Sequence, residues 1–420
     1  MDTKRDHAPD LNDLDRRKFL RLAAMAGLST GFGASLSGSA LSALASDLIT
    51  LPFANGDRRM AAFPQKRELI LLRTRPPLLE TPMAIFDQGA FTPNDAFYVR
   101  WHLPIVPTDI NVASFRVRIH GHVRQPIELT LKQILHGFDP VEIAAVNQCS
   151  GNSRGFFAPR VAGGEWGNGA MGNARWTGVR LKDLLDRAGV LPGAVQVRFN
   201  GADGPEVPET PDFMKSLAID HARDGEVMVA YGMNGGELPV LNGFPIRLVV
   251  PGWFATYWVK MLNDIEVLDH PDDNFWMKSA YLVPDNPAGN LKPGETGVKM
   301  VPISRLLPRS FITNLQAGAT VHAGRPVALR GIAFGGDTGV AQVMVSADGG
   351  AQWHPARLGR DYGKYSFRQW ASAFTPAAPG PCVLMVKTIN SNGLSQPLEP
   401  NWNPGGFMRN VIERTPVKVI

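Results

Sequence analysis

The sequence predicts an α+β first domain followed by a β-sandwich domain of immunoglobulin type. Three observations carry this. The 420 residues, 44% hydrophobic and 19% charged, are enough for two globular domains. The 34 prolines and 43 glycines favour many turns and short strands over a helical bundle. The pattern also changes after Ile303, from strands interspersed with helical spacing to closely spaced strands alone.

The N-terminal 45 residues read as an export address. Asp15-Arg16-Arg17-Lys18-Phe19-Leu20 places twin arginines before a mild Ala/Gly/Ser/Leu stretch that ends in Ala43-Leu44-Ala45, a small-residue cleavage pattern. Gly27, Gly31, Gly33 and Gly38 break that stretch, which argues against a transmembrane anchor. The expectation is a twin-arginine signal over 1–45 and a periplasmic mature chain from about Ser46, with no membrane span. That route carries folded proteins, so an inserted cofactor is expected.

Residues 46–95 are proline-rich without sustained periodicity and read as an extended arm wrapping the first domain, which is placed at 96–300. Phe115 to Gly121 alternates and is a strand; Thr130 caps a short helix to His136. Leu181 to Gly189 has helical spacing and a terminal glycine. Pro245 to Gly252 is a buried strand closed by a turn, and Val259 to Val267 is another strand. Pro284 to Gly297 is a linker. In the second domain, 305–420, strands at 327–331, 340–346 and 381–388 are joined in part by the turn Ala347-Asp348-Gly349-Gly350.

Charge excludes little but points away from nucleic acid: 43 basic against 38 acidic side chains, with no long basic run. Two cysteines cannot build a disulfide framework. Cys382 lies in the apolar run Cys382-Val383-Leu384-Met385-Val386, as a core cysteine would. Cys149 instead follows Ile143-Ala144-Ala145-Val146 and enters Ser150-Gly151-Asn152-Ser153-Arg154, where a buried strand opens into a loop. It is a candidate metal ligand, with a buried structural thiol as the alternative. Arg154 would favour its thiolate if the loop folds back.

Four segments, in order, resemble the sulfite oxidase family of molybdenum enzymes over most of residues 80–420. They are Tyr98-Val99-Arg100-Trp101-His102-Leu103-Pro104; Gln148 to Arg154; Asn242 to Gly252 continuing through Tyr257-Trp258-Val259-Lys260; and Val345 to Gly350 with Trp353 and Trp402-Asn403-Pro404-Gly405-Gly406. The resemblance implies a mononuclear molybdenum-molybdopterin cofactor whose protein sulfur ligand is Cys149. It implies that Arg100, Arg154 and Arg368 hold the substrate anion, with His102 near the metal and Tyr281 as the active-site tyrosine. Trp101, His102, Asp203, Asn242, Arg247, Trp258, Val259 and Lys260 match the pterin-binding positions. Each arginine could instead form a surface ion pair, and Arg247 and Lys260 could be strand-edge cations.

The implied activity is oxidation of sulfite to sulfate, with electrons leaving one at a time. No Cys-x-x-Cys-His haem motif occurs, so the acceptor is expected to be an external c-type cytochrome. The sandwich implies a homodimer or a complex with a cytochrome subunit. Two enzymes on the same cofactor are rivals: a periplasmic methionine-sulfoxide reductase and the molybdenum subunit of a thiosulfate-oxidising complex. A secreted two-domain binding protein is the non-enzymatic alternative.

Overall fold

The computed structural model describes residues 48–420, so the twin arginines and the cleavage pattern lie outside the described residues. Strand dominates, and the α-helices among the described residues are short: Leu131–His136, Leu181–Ala188, Ile219–Ala222 and Phe275–Lys278. The expected α+β domain is thus a β domain with helical connections. Among the described residues no helix is long and apolar enough to cross a membrane.

The segment expected to be an extended arm is a sheet. Strands Leu48–Thr50, Asp57–Phe63, Lys66–Arg73 and Leu78–Glu80 pair antiparallel in sequence, and Val99–Arg100 adds the fifth strand through Leu78 opposite Arg100. Its irregular sequence pattern has a local cause, because register shifts interrupt alternation near Ala61 and between Leu71 and Arg73. The sheet buries Leu69, Leu79, Val99 and Trp101 against Leu241 and Met261, and so delivers Arg100 to the interior of the first domain.

Two further sheets build that interior. One orders strands Met214–Ala218, Gln196–Gly201, Leu262–Leu268, Arg116–Gly121 and Ile127–Thr130, with 262–268 parallel to 116–121. The other orders Gly236–Glu237, Met228–Met233, Met171–Arg180 and Pro140–Gln148, with Arg247–Val249 added on 228–233. The expected strand 259–267 starts at Leu262, because Val259 and Lys260 belong to the turn before it. Thr130 caps the first helix through a reciprocal pair with Gln133, its hydroxyl accepting from Gln133 N at 3.1 Å while Gln133 Oε1 accepts from Thr130 N at 2.8 Å. Leu181, Leu184, Leu185 and Ala188 form one buried helical face, and Gly189 ends that helix at φ +73°.

After the hairpin Leu282–Pro284 with Met300–Pro302, two sheets form the second domain. Arg309–Ile312, Val327–Phe334, Arg368–Phe374 and Arg357–Leu358 make one. Thr320–Val321, Glu413–Val419, Gly380–Asn390, Val340–Ser346 and His354–Pro355 make the other. Leu329 and Trp370 from the first sheet pack with Val343, Val345, Leu384, Val386 and Val417 from the second, which is a two-sheet sandwich. Cys382 sits at the rim of this core, half-buried, its thiol donating to the Ala347 carbonyl at 3.2 Å.

A cysteine loop beside an arginine-lined cavity

Strand Pro140–Gln148 sinks progressively into the protein and ends at Cys149, which is 8% exposed. Its loop is fixed by backbone bonds, Cys149 N to Ala170 O at 2.9 Å and Ser153 N to Gly167 O at 2.7 Å. Asn152 Oδ1 accepts from Ala170 N at 2.9 Å. Ser153 takes φ +69°, turning the chain so that Arg154 folds back over Gly151. A Cβ at Gly151 would lie 2.5 Å from the Arg154 guanidinium, so a side chain there would displace the guanidinium from this position.

Cys149 opens into an inner cavity lined also by Tyr98, Arg100, His102, Asn147, Ser150, Asn242, Arg247, Trp258, Lys260 and Tyr281. Arg100 and Tyr281 also line an outer cavity, together with Arg58, Arg73, Arg154, Arg160, Glu165 and Phe407. Glu165 engages Arg160 at 2.8 Å and Arg58 at 3.2 Å, leaving an excess of positive charge around the outer space. Such a cavity favours a small anion.

His102 Nε2 and the Tyr281 hydroxyl are 2.5 Å apart. Burial, then the positive charges of Arg100, Lys260 and Lys215, hold the His102 pKa well below the ordinary histidine value, so the imidazole is neutral and its Nε2 can accept a hydrogen bond from the phenol. Burial pushes the Tyr281 pKa up, which keeps the phenol protonated. Tyr281 adopts φ +56° and stacks on Phe407 with ring centroids 5.0 Å apart. His102 stacks on Phe213 at 3.4 Å.

Arg154 donates to the Gly405 carbonyl through Nη2 at 3.1 Å and Nε at 3.3 Å, and its guanidinium lies 5.0 Å from the Phe407 ring centroid. Thus the second domain shapes the site through residues 405–407. The structure does not bring Arg368 to either cavity. It lies in the second domain's four-stranded sheet, where it donates to Asp361 Oδ2 at 3.0 Å and to the Gly359 carbonyl at 3.2 Å, and it lines neither cavity.

The expected pterin positions divide. Arg247, 3% exposed, donates to the carbonyls of Asn242 at 2.8 Å and Trp258 at 3.1 Å, beside the rings of Trp176 and Trp258. Burial lowers its pKa to about 10, so it remains a cation at neutral pH. Lys260 donates to the Arg100 carbonyl at 2.9 Å and lies 4.4 Å from the Trp101 ring centroid; burial and then Arg247 lower its pKa to about 7. Asp203 is buried beside it, with burial raising its pKa to about 6 against the pull of Lys260. Trp101 donates to the Leu241 carbonyl at 3.0 Å and lies behind Lys260, while Val259 is buried; Trp101, Asp203 and Val259 do not line the inner cavity.

Asn242 lines it, but Lys66 donates to its Oδ1 and its Nδ2 donates to the Tyr98 carbonyl at 3.0 Å. Lys66, which lines neither cavity but holds the lining residue Asn242, is a contact the sequence did not reveal. It is 6% exposed, also donates to the Phe97 carbonyl at 3.0 Å, and burial lowers its pKa to about 7. An isolated lysine in the strand Lys66-Arg67-Glu68-Leu69 gives no signal of this, since its charged neighbours suggest a solvated face.

The inner cavity's surface has the chemistry a polar cofactor needs. Arg100 Nη1, Asn147 Nδ2, Ser150 Oγ and Arg247 Nε are buried and without hydrogen-bond partners among the described residues, on the cavity that holds Cys149. Donors left this way are costly unless a bound group accepts from them. Arg247 and Lys260 suit a phosphate, and a thiolate suits a soft redox metal. The residues fit a molybdopterin.

Comparison with known proteins agrees. Residues 102–276 match the family described as "Oxidoreductase molybdopterin binding domain", and 301–420 match "Mo-co oxidoreductase dimerisation domain". The chain is 32% identical to mouse mitochondrial sulfite oxidase over 362 residues, covering 82% of this chain and 65% of the mouse protein. It is 33% identical to chicken sulfite oxidase over 349 residues, covering 78% of this chain and 73% of the chicken protein. The fold superposes on the sulfane dehydrogenase SoxCD of Paracoccus pantotrophus with TM-score 0.69 and 20% identity, covering 97% of this chain and 96% of that one. With a buried thiol at a strand end, orphaned donors around it and matches across both domains, the chain belongs to the sulfite oxidase family of molybdenum oxidoreductases, and its cofactor is molybdenum-molybdopterin.

Proposed function

We propose that this chain is a periplasmic sulfite dehydrogenase, exported folded by the twin-arginine route. It converts sulfite and water to sulfate, two protons and two electrons, and the electrons pass singly to an external c-type cytochrome. The observation that carries the reading is Arg100. Its guanidinium borders both cavities, as Tyr281 does, and has a buried Nη1 without a partner among the described residues, on the cavity that holds Cys149.

When bound, the cofactor supplies oxygen-atom transfer and accepts the electron pair. Cys149 would hold its metal, and Arg247 and Lys260 would offset its phosphate. Ser150 and Asn147 would donate to its polar edge. Arg100 binds sulfite oxygens by charge-assisted hydrogen bonds, and Arg154 draws the anion through the outer cavity. Tyr281, protonated and donating to neutral His102, orients the anion without adding negative charge to the pocket.

The domain limits 96–300 and 305–420, the immunoglobulin type of the sandwich and its use as a homodimer interface or cytochrome mount belong to the same proposal. The two packed sheets and the match of 301–420 to a dimerisation domain support it.

The test is steady-state turnover of molybdenum-loaded protein with sulfite and either ferricyanide or a c-type cytochrome. Sulfite-dependent reduction is expected, and Cys149→Ser should lose both the metal and the activity. Loaded protein that ignores sulfite but reduces methionine sulfoxide, or oxidises protein-bound sulfane sulfur, would replace the reading with one of its rivals.

A further inference from the structure

Lys215 is a buried cation that the reading above does not use. It has no exposed surface and lies on strand Met214–Ala218, behind the wall of the inner cavity. Its Nζ donates to the Trp276 carbonyl at 2.6 Å, 4.7 Å from the ring centroid of Tyr257 and 5.6 Å from that of Tyr281. Trp276 in turn packs against His102, with ring centroids 5.2 Å apart, and Tyr281 holds a left-handed backbone at φ +56°. A non-glycine residue keeps that conformation only where its surroundings enforce it. The groups facing Lys215 are buried Asp272, His102, Tyr257 and Tyr281. A thioether of similar length would fill the same space, so the ammonium must act through its donor bond and its attraction to the two ring faces.

We propose that Lys215 is a positioning residue for the sulfite reaction: its ammonium ties the Trp276 turn to strand Met214–Ala218 and holds the Tyr281 ring so that the phenol meets His102 in the substrate cavity. The inference rests on the sulfite reading for its kinetics and on geometry alone for its structural part. Burial lowers the Lys215 pKa to about 7, against the charge of Asp272, so the cation is present below that pH and discharges above it.

The experiment compares Lys215→Met and Lys215→Gln with wild type in holoenzyme of matched molybdenum content. Glutamine keeps a donor for the Trp276 carbonyl and lacks the cation, so it carries the kinetic test if the methionine variant does not fold. At pH 6 kcat/KM for sulfite should fall about tenfold, with the gap closing by pH 8.5. In a Tyr281→Phe background the same substitution should cost less than about twofold. A loss that is the same at both pH values, or undiminished without the Tyr281 hydroxyl, overturns the proposal. In cofactor-free protein, trypsin should cut after exposed Lys278 faster in Lys215→Met than in wild type, and equal rates overturn it. Wild-type holoenzyme inactive on sulfite would refute the substrate reading alone, and cleavage at Lys278 would then decide this one.

Discussion

Arg100 and Arg368 make opposite claims on the same anion, and their surroundings decide between them. Arg100 borders both cavities and keeps a buried nitrogen unpartnered, while Arg368 is already engaged by the Asp361 carboxylate and two carbonyls. A guanidinium satisfied by its own sheet has little to offer a substrate. Arg100→Gln should therefore raise the sulfite KM by at least about tenfold, the loss expected when a charge-assisted bond to an anion is removed. Arg368→Ala should leave kcat/KM within about twofold. Steady-state kinetics on the two variants checks both, and a large loss at Arg368 would mean that its strand reaches the substrate in the working enzyme. The family resemblance pointed to both arginines, Arg100 through an ordered segment and Arg368 through a local likeness outside those segments. What sequence cannot report is which guanidinium finds a carboxylate seven residues away, because that depends on how a strand end folds against its neighbour.

At the level of elements, the cysteine loop and the first helix were legible for physical reasons. An apolar run entering a Ser/Gly/Asn turn puts Cys149 at a strand end, and Thr130 before the helical run marks an N-cap, which the structure completes as a capping box with Gln133. Thr130→Ala should lower stability by about 1 kcal/mol in urea unfolding, with little effect on turnover because the helix packs away from both cavities. Gly151→Ala should act on function instead. Its Cβ would meet the Arg154 guanidinium at 2.5 Å, so the arginine must leave Gly405 and the outer cavity, and the KM for sulfite should rise while cofactor content is kept. Equal KM values would show that Arg154 can keep its place by another path. The N-terminal sheet was illegible because register shifts break its alternation and prolines mask its strands. Lys66 and Lys215 were missed for a related reason: a single lysine in a strand usually snorkels to water, and only the packed fold shows that these two cannot.

On the scale of the whole molecule, the first domain buries Lys260 on the inner cavity and Lys66 and Lys215 behind residues that line a cavity, and that arrangement sets how the cofactor-free protein responds to pH. Burial lowers Lys66, Lys215 and Lys260 from 10.5 to about 7. Between about pH 7 and 10.5 the unfolded chain therefore binds more protons at these positions than the native one, so their contribution to unfolding free energy rises with pH. Glu80 and Asp203 act in the opposite sense. Burial raises them from 4.5 to about 7 and from 3.8 to about 6, so between pH 4 and 7 the native state binds more protons and their contribution falls as pH rises. Together these groups give cofactor-free protein a stability minimum near neutrality. Each uncompensated proton is worth about 1.4 kcal/mol per pH unit. Lys66→Met removes one of the three lysines, so its urea-unfolding free energy should climb less steeply than wild type between pH 7.5 and 9.5, by up to about that amount per unit. Parallel slopes for the two proteins would mean that Lys66 keeps an ordinary pKa in its pocket. In holoenzyme the rise above neutrality should flatten in part, because a bound phosphate supplies negative charge that Lys260 faces on the inner cavity and holds it protonated, while Lys66 and Lys215, which do not line that cavity, keep their lowered values. Urea titrations of the loaded and cofactor-free forms across the same pH range measure that difference directly, and identical profiles would show that Lys260 does not sense the cofactor's charge.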